Sequence, residues 1–377
     1  MDEWYDILPY LRNKQLVWHS QCSQLFNAIS ESHIQRAKWK PRGLRKCAGD
    51  GDVEGVKYLV EQCAADVHAN HNDALGSASW SGHLEVVQYL VEKGADLHFL
   101  NEEALRLASE NGHLDVVRYL VENGADVHAT DCFCHNALQL ASENGHVQLV
   151  RYLVENGADV HVEDEKALRD ASINGHLDMV HYLVEVGEAD VHIRNELPLK
   201  NASANGHVQL VRYFVEKGGA DVHAGNDFEA EESLRRASRN GHVQLVRYLV
   251  EKGANVHAGG ECALRGACAF GHLKVVQYLV EEGGADVHAG NNCALKWASG
   301  SGHLEVVKYL VLECEADMHA RHRSGHNTLQ IASEKGHLEV VRFLVENGAD
   351  VHAKSYEAMR LARSNGHADV FQYLRMQ

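Results

Sequence analysis

The stretch Gly112-His113-Leu114-Asp115-Val116-Val117-Arg118-Tyr119-Leu120-Val121-Glu122-Asn123-Gly124-Ala125-Asp126-Val127-His128 decides how the rest of the chain is read. Its apolar residues Leu114, Val117, Leu120 and Val121 fall at i, i+3, i+6 and i+7, the spacing of one buried helix face. Asp115 sits in the first turn, where the helix dipole favours an acid. Gly124 follows the last periodic residue and marks a C-terminal stop. The stretch therefore predicts one short helix with its own start and stop. A helix of this length is marginal alone in water. It needs neighbours, and the sequence supplies them by repetition.

The Gly of this stretch, or its equivalent, recurs at 51, 82, 112, 145, 175, 206, 241, 271, 302, 336 and 366. The intervals run from 30 to 35 residues, and all anchors but Gly51-Asp52 keep Gly-His itself. Upstream of each anchor lies a second periodic run. In Glu103-Ala-Leu-Arg-Leu-Ala-Ser-Glu-Asn111, residues Ala104, Leu105 and Ala108 make an apolar stripe, and the small Ala residues let neighbouring helices approach closely. Each unit is thus a pair of helices, and eleven anchors predict eleven units.

The pattern Gly-His-Leu-x-Val-Val-x-Tyr-Leu-Val-x-x-Gly-Ala-Asp-Val-His, at a period near 31, resembles the ankyrin repeat. The resemblance covers residues 41–377. In wording, Ala-Leu-Arg-x-Ala-Ser-Glu-Asn-Gly-His is most similar to the multigene ankyrin proteins of giant amoeba-infecting DNA viruses. It implies an all-α solenoid, a protein-binding role without catalysis, and a concave recognition surface. The departures are specific. The Thr-Pro-Leu-His that opens the family's first helix is reduced to forms such as Glu103-Ala104-Leu105-Arg106, and only Leu197-Pro198-Leu199-Lys200 keeps the Pro. Most units are about three residues short in the connecting loop, which implies a blunted β-hairpin finger. Longer loops survive at 129–136, 224–232 and 320–327.

Residues 1–40 do not follow the repeat and form a separate segment, rich in large residues such as Trp4, Leu11, Trp18, Phe26 and Trp39. Two readings fit. One is a helical cap over the end of the array. The other is an F-box-like segment: Ile7-Leu8-Pro9-Tyr10-Leu11, Leu16, Cys22 and Leu25-Phe26 are similar to the second half of that motif. This implies docking on a Skp1-type adaptor, and the whole chain would then be the substrate receptor of a ubiquitin ligase. The Leu-Pro-x-Glu opening is missing.

Composition excludes several classes. The chain has 377 residues and a formal charge of -17, from 36 Lys+Arg against 53 Asp+Glu. Such a chain gains no counterion-release affinity for nucleic acid or anionic lipid, so neither is an expected partner. No segment approaches the length and apolarity of a membrane span. The start, Met-Asp-Glu-Trp-Tyr-Asp, lacks the basic region of a secretory signal. Nine Cys, an odd number without regular spacing, point to free thiols in a reducing cytosol or nucleus, or a host cytoplasm if a virus encodes the chain. Cys47 and Cys268 are assigned to a slot that other units fill with Ala.

No phosphate loop or Gly-x-Ser-x-Gly elbow occurs, so no enzyme activity and no cofactor are expected. Histidine is abundant, with 27 residues in two ladders, one in Gly-His and one after Ala-Asp-x. Within a unit the two are ~15 Å apart along a helix, and between units each recurs at ~10 Å. Zinc needs its ligands at ~2.0–2.1 Å from one point. Both ladders are therefore read as ring nitrogens bonded to turn backbone. Two loop clusters, Cys132-Phe133-Cys134-His135 and His319, His322, His326, lack zinc-finger spacing, and no metal site is assigned.

The informative residues break the repeat. In the resembling family, the two positions before Gly-His line the concave surface. They are usually Glu-Asn here, as at Glu110-Asn111 and Glu143-Asn144. Trp80, Ile173, Arg239 and Phe270 interrupt that pattern. Three residues earlier, Leu107 gives way to Asp170, Asn201, Arg236 and Trp297. Large apolar or Arg residues on a polar surface are typical anchors of a binding patch. Trp80, Asp170, Ile173, Arg236, Arg239, Phe270 and Trp297 are therefore the expected partner contacts.

Overall fold

The computed structural model describes residues 43–225, 231–321 and 325–377. The cap and F-box readings of residues 1–40, and His322, lie outside them. Every regular element among the described residues is a helix. Each anchor sits between two of them, as between Phe99–Glu110 and Leu114–Glu122, giving eleven helix pairs from the run 43–49 with Val53–Glu61 to Ala353–Ser364 with Ala368–Arg375. The fold is an all-α solenoid of repeated pairs. The described residues divide into two compact bodies, those from 43 to 141 with 148–158, and 142–147 with those from 159 onward.

Inside each pair the small-residue stripe is buried as its spacing predicts, with Ala104, Leu105 and Ala108 at 4% exposure or less. In the second helix the buried face is Val116, Val117 and Leu120, while Leu114 and Val121 are only half-buried. The buried face is therefore shifted from the one read off the spacing, with Val116 in place of Leu114 and Val121. Full burial of side chains like Leu105 and Leu120 contributes about 1.5–3 kcal/mol each. Repeated in every unit, this offsets the weakness of nine-residue helices. Cys268 does not occupy the Ala slot. It replaces the buried Ser of other units, such as Ser109 and Ser299, whose hydroxyls have no hydrogen-bond partner. A thiol demands a partner less than a hydroxyl does.

The Gly-His ladder joins units. The backbone N–H of His113 donates to Ala108 O at 2.9 Å, closing the turn out of the first helix. Its ring does not cap its own helix but reaches back one unit, where Nε2 donates to Trp80 O at 2.9 Å. The same bond recurs at His176 to Glu143 O, His207 to Ile173 O, His272 to Arg239 O and His303 to Ala269 O, all 2.8–3.0 Å. A carbonyl only accepts, so Nε2 carries the proton in each. The first anchor shows the alternative. Asp52 stands where His would, and its carboxylate caps its own helix through Gly55 N–H at 2.9 Å.

The connections explain the short period. In seven short-loop units three consecutive residues take left-handed backbone angles, as in Leu100-Asn101-Glu102, Glu163-Asp164-Glu165 and Gly290-Asn291-Asn292. This compact turn stands in place of a finger. For residues other than Gly or Asn the conformation costs roughly 1–2 kcal/mol each, so it needs locks. One lock is the cation of the Ala-Leu-Arg motif. Arg169 donates from Nε to Asp164 O at 2.9 Å and from an NH2 to Glu163 O at 2.8 Å. Arg106, Arg265 and Lys296 bind turn carbonyls in the same way. The other lock corrects the second histidine ladder. These rings bond a carboxylate rather than backbone: Nδ1 of His98, His161, His192 and His257 donates to Glu102, Glu165, Glu196 and Glu261 at 2.6–2.7 Å. The left-handed turn folds the residue four positions on back over the ring, which ordinary spacing does not anticipate. His223 reaches Glu231 at 2.8 Å across a longer loop.

In two of the three longer loops the lock changes. Asn136 with Gln139, and Asn327 with Gln330, form reciprocal side-chain-to-backbone caps at 2.8–3.0 Å. The slot of Arg169 is then Gln, which serves as the partner of a capping box.

Candidate functional site

The framework holds the backbone of the residues just before the Gly-His turns. The carbonyls of Trp80, Ile173 and Arg239, each two positions before the Gly, accept the next unit's histidine ring. Their side chains are exposed. Trp80 is 53% exposed, Ile173 41%, Phe270 47% and Trp297 51%. The framework thus fixes where each of these residues stands without fixing what it is.

Six of the seven expected contacts lie in the second body and Trp80 in the first. Within the second body the structure brings some together. The guanidinium of Arg239 lies 4.5 Å from the centre of the Phe270 ring, one unit on, in cation–π contact. A Cβ at Gly266 would lie 3.6 Å from Cβ of Arg239, and one at Gly300 would lie 3.0 Å from Ile331. Residues two before the Gly therefore neighbour residues five before the Gly of the next unit. By that register Ala204 stands beside Arg236 and Ala269 beside Trp297, so large side chains alternate with small ones. Asp170 and Ile173 share one helix, Val162–Asn174, further along the stack, and touch none of the Arg239–Phe270 pair.

A group missed from the sequence underlies this patch. Lys200 Nζ lies 3.0 Å from Glu232 Oε2, and both side chains are at least nine-tenths buried. Arg236 Nε donates to Glu232 Oε1 at 2.8 Å. Burial pushes the Glu232 carboxyl up, but the hydrogen bonds from Lys200 and Arg236 outweigh it and hold it below the usual carboxylate range. Glu232 stays ionised and orients Arg236 along the helix Glu232–Arg239. The available sequence signal was the slot six before each Gly, which reads Lys200, Arg235, Arg265 and Lys296 in four consecutive units. Burial lowers the Lys296 ammonium's affinity for its proton.

Other concentrations of functional groups carry no comparable chemistry. A shallow recess of about 700 Å³ between helices Leu273–Glu281 and Leu304–Leu312 is lined by Glu281, Lys308, Tyr309, Leu312 and Cys314. Tyr309 donates to Glu281 at 2.8 Å, and burial pushes the Cys314 thiol up, away from the reactive thiolate. In the 129–136 loop, Asp131 accepts the N–H groups of Phe133 and His135 at 2.8 Å, so Cys132, Cys134 and His135 flank an aspartate-centred turn. No group of three or more His, Cys, Asp or Glu suited to a metal ion occurs among the described residues. No helix among them is long and apolar enough to cross a membrane.

No curated protein matches the chain. The family model for ankyrin repeats (3 copies) matches it in overlapping stretches, residues 19–101, 44–131, 105–195, 171–259, 199–291, 257–322 and 295–377. With helix pairs at every anchor and a match over nearly its whole length, the chain belongs to the ankyrin-repeat family.

Proposed function

We propose that this protein is a non-catalytic interaction scaffold that binds a partner protein through the face formed by its first helices. Ankyrin repeats generally mediate protein–protein interaction. The observation that carries the reading here is the break in repetition. Where other units place Glu and Asn, units of the second body place Ile173, Arg239 and Phe270, exposed on a framework that holds their backbone, with the exposed Trp297 and the half-buried Arg236 at the positions three residues earlier in the repeat. Trp and Arg are enriched among residues that dominate binding energy. A rigid array also loses little conformational freedom on binding. The test is proximity labelling or affinity recovery with the chain carrying Trp80→Glu, Ile173→Glu, Phe270→Glu and Trp297→Glu. The expected result is loss of the main partners. An unchanged partner set removes the assignment.

The likeness in wording to giant-virus ankyrin proteins adds a setting to this proposal, a host cytoplasm or nucleus. A role as a ubiquitin-ligase substrate receptor would rest on residues 1–40. Recovery of a Skp1-type adaptor by the full chain, lost on deleting those residues, is the result that reading requires.

A further inference from the structure

The chain is strongly acidic overall, yet one stretch of its first-helix face is not. Over four consecutive units, the positions one, two, five and six before the Gly are Lys200, Asn201, Ala204, Asn205; Arg235, Arg236, Arg239, Asn240; Arg265, Gly266, Ala269, Phe270; and Lys296, Trp297, Gly300, Ser301. These positions hold cations in every unit and no carboxylate. The same positions carry Glu110, Glu143 and Glu334 in other units.

Part of this charge is engaged internally. Lys200 is spent on Glu232, Arg265 donates to Gly259 O at 2.8 Å, and Lys296 binds Asn291 O. Arg235 lies 3.7 Å from Glu232. Arg236 is bonded to Glu232 and half-buried, and Arg239 faces outward. Arg236 is oriented by Glu232, and Glu232 already serves Lys200 as well, so one carboxylate sits among several cations. Arg239 is exposed, and among the described residues no carboxylate pairs with it. Its guanidinium rests on Phe270, which leaves its edge N–H groups directed outward for a planar acceptor. Ala204, Gly266, Ala269 and Gly300 keep the ground between the large side chains low.

We infer that this face takes an acidic peptide segment of the partner, a carboxylate paired by Arg239 and favoured by the excess of cations around Glu232, and an apolar side chain seated against Phe270 and Trp297. The inference rests on the scaffold reading above and names the chemistry of its partner. Charge complementarity selects the occupant. A basic segment would meet the unpaired Arg239 on the patch, and like charges brought together in an interface oppose binding. The negative charge carried elsewhere on the chain would draw a basic partner to other surfaces.

The test uses the full chain and a displayed library of random twelve-residue peptides as probe. Selection is run on the wild-type chain, on Arg236→Glu/Arg239→Glu, and on Phe270→Glu/Trp297→Glu, with circular dichroism melts to verify that each variant is folded. Arg239→Lys is the conservative companion, keeping charge but not the bidentate geometry. The expected result is enrichment of peptides rich in Asp and Glu that contain an apolar residue. Their affinity should fall at least tenfold on Arg236→Glu/Arg239→Glu, fall less on Arg239→Lys, and weaken as salt is raised. Enriched peptides that are neutral or basic but still lost on Phe270→Glu/Trp297→Glu would overturn the acidic-partner inference while leaving the scaffold reading in place. Enrichment insensitive to all these variants, or none at all, would overturn both. Equal binding of inorganic polyphosphate, abolished by the same Arg changes, would show a generic anion site and also overturn the inference.

Discussion

His272 and Phe270 are two residues apart, and they differ in what the fold asks of them. His272 reaches back one unit to hold the carbonyl of Arg239 at 2.8 Å, and histidine stands at this position in ten of the eleven units. Phe270 is nearly half exposed, bonds nothing through its side chain except the face of Arg239, and stands where most units have Asn. One residue is framework and the other is cargo. The same division holds along the chain: the Gly-His turn locks the backbone of the residues before it, and those residues vary. Faithful repetition therefore marks what stacks, and the proposal places recognition at the irregular positions that the repeated ones hold in place.

This contrast makes separable predictions. The largest effect is expected at a framework Gly. Gly241 has φ +81, and a Cβ there would lie 2.5 Å from Nδ1 of His272. Gly241→Ala combines a left-handed penalty of roughly 1–2 kcal/mol with the loss of about 1 kcal/mol from the displaced His272 hydrogen bond. Urea unfolding should show a loss of about 2–3 kcal/mol. A variant as stable as wild type would mean that the junction is not locked as described.

Next comes the turn lock. Arg169→Ala removes both donors to the carbonyls of Glu163 and Asp164. A loss of about 1 kcal/mol is expected, with faster amide exchange confined to 162–168. Exchange rates unchanged there would remove the lock. On the variable face the sign reverses. Gly266 lies inside the helix Ala258–Ala269, and a Cβ would meet only ordinary contacts. Gly266→Ala should raise stability by roughly 0.5–1 kcal/mol, and a thermal melt that falls instead would show that the position is structural.

The smallest effect is a pH dependence of determined sign. The hydrogen bond that each ring donates to its carboxylate partner holds His98, His161, His192 and His223 above the usual histidine range. A group whose affinity for protons rises on folding contributes stability that is complete below its unfolded value near 6.5, and that is lost as pH climbs through its raised folded value. The chain should thus gain stability between pH 8 and pH 6 from this source. Solvent screening of these half-exposed rings keeps the gain modest. Changing Glu102, Glu165, Glu196 and Glu231 to Gln should reduce the gain. An identical pH profile in that variant would remove the assignment.

Much of the fold was legible because its signals are local and repeated. The anchors, the stripe of Ala104, Leu105 and Ala108, and the helix stop at Gly124 each follow from spacing alone. The left-handed turns were not legible. Leu100 and Glu163 disfavour that conformation, and the Arg that stabilises it stands six residues further on. The His–Glu pairs were hidden for the same reason, since only the turn brings Glu165 over His161. The candidate face was legible as irregularity, in Arg239, Phe270 and Trp297. Its supporting network was not, because Lys200 and Glu232 meet across 32 residues and only stacking brings them together.

The central claim is that framework and recognition are carried by different residues. It is tested most directly by measuring stability and partner recovery together for Phe270→Glu/Trp297→Glu. Exposed substitutions of this kind should leave the urea midpoint within about 0.5 kcal/mol of wild type, while recovery of the partner is abolished. Recovery equal to wild type from the folded variant would contradict the account.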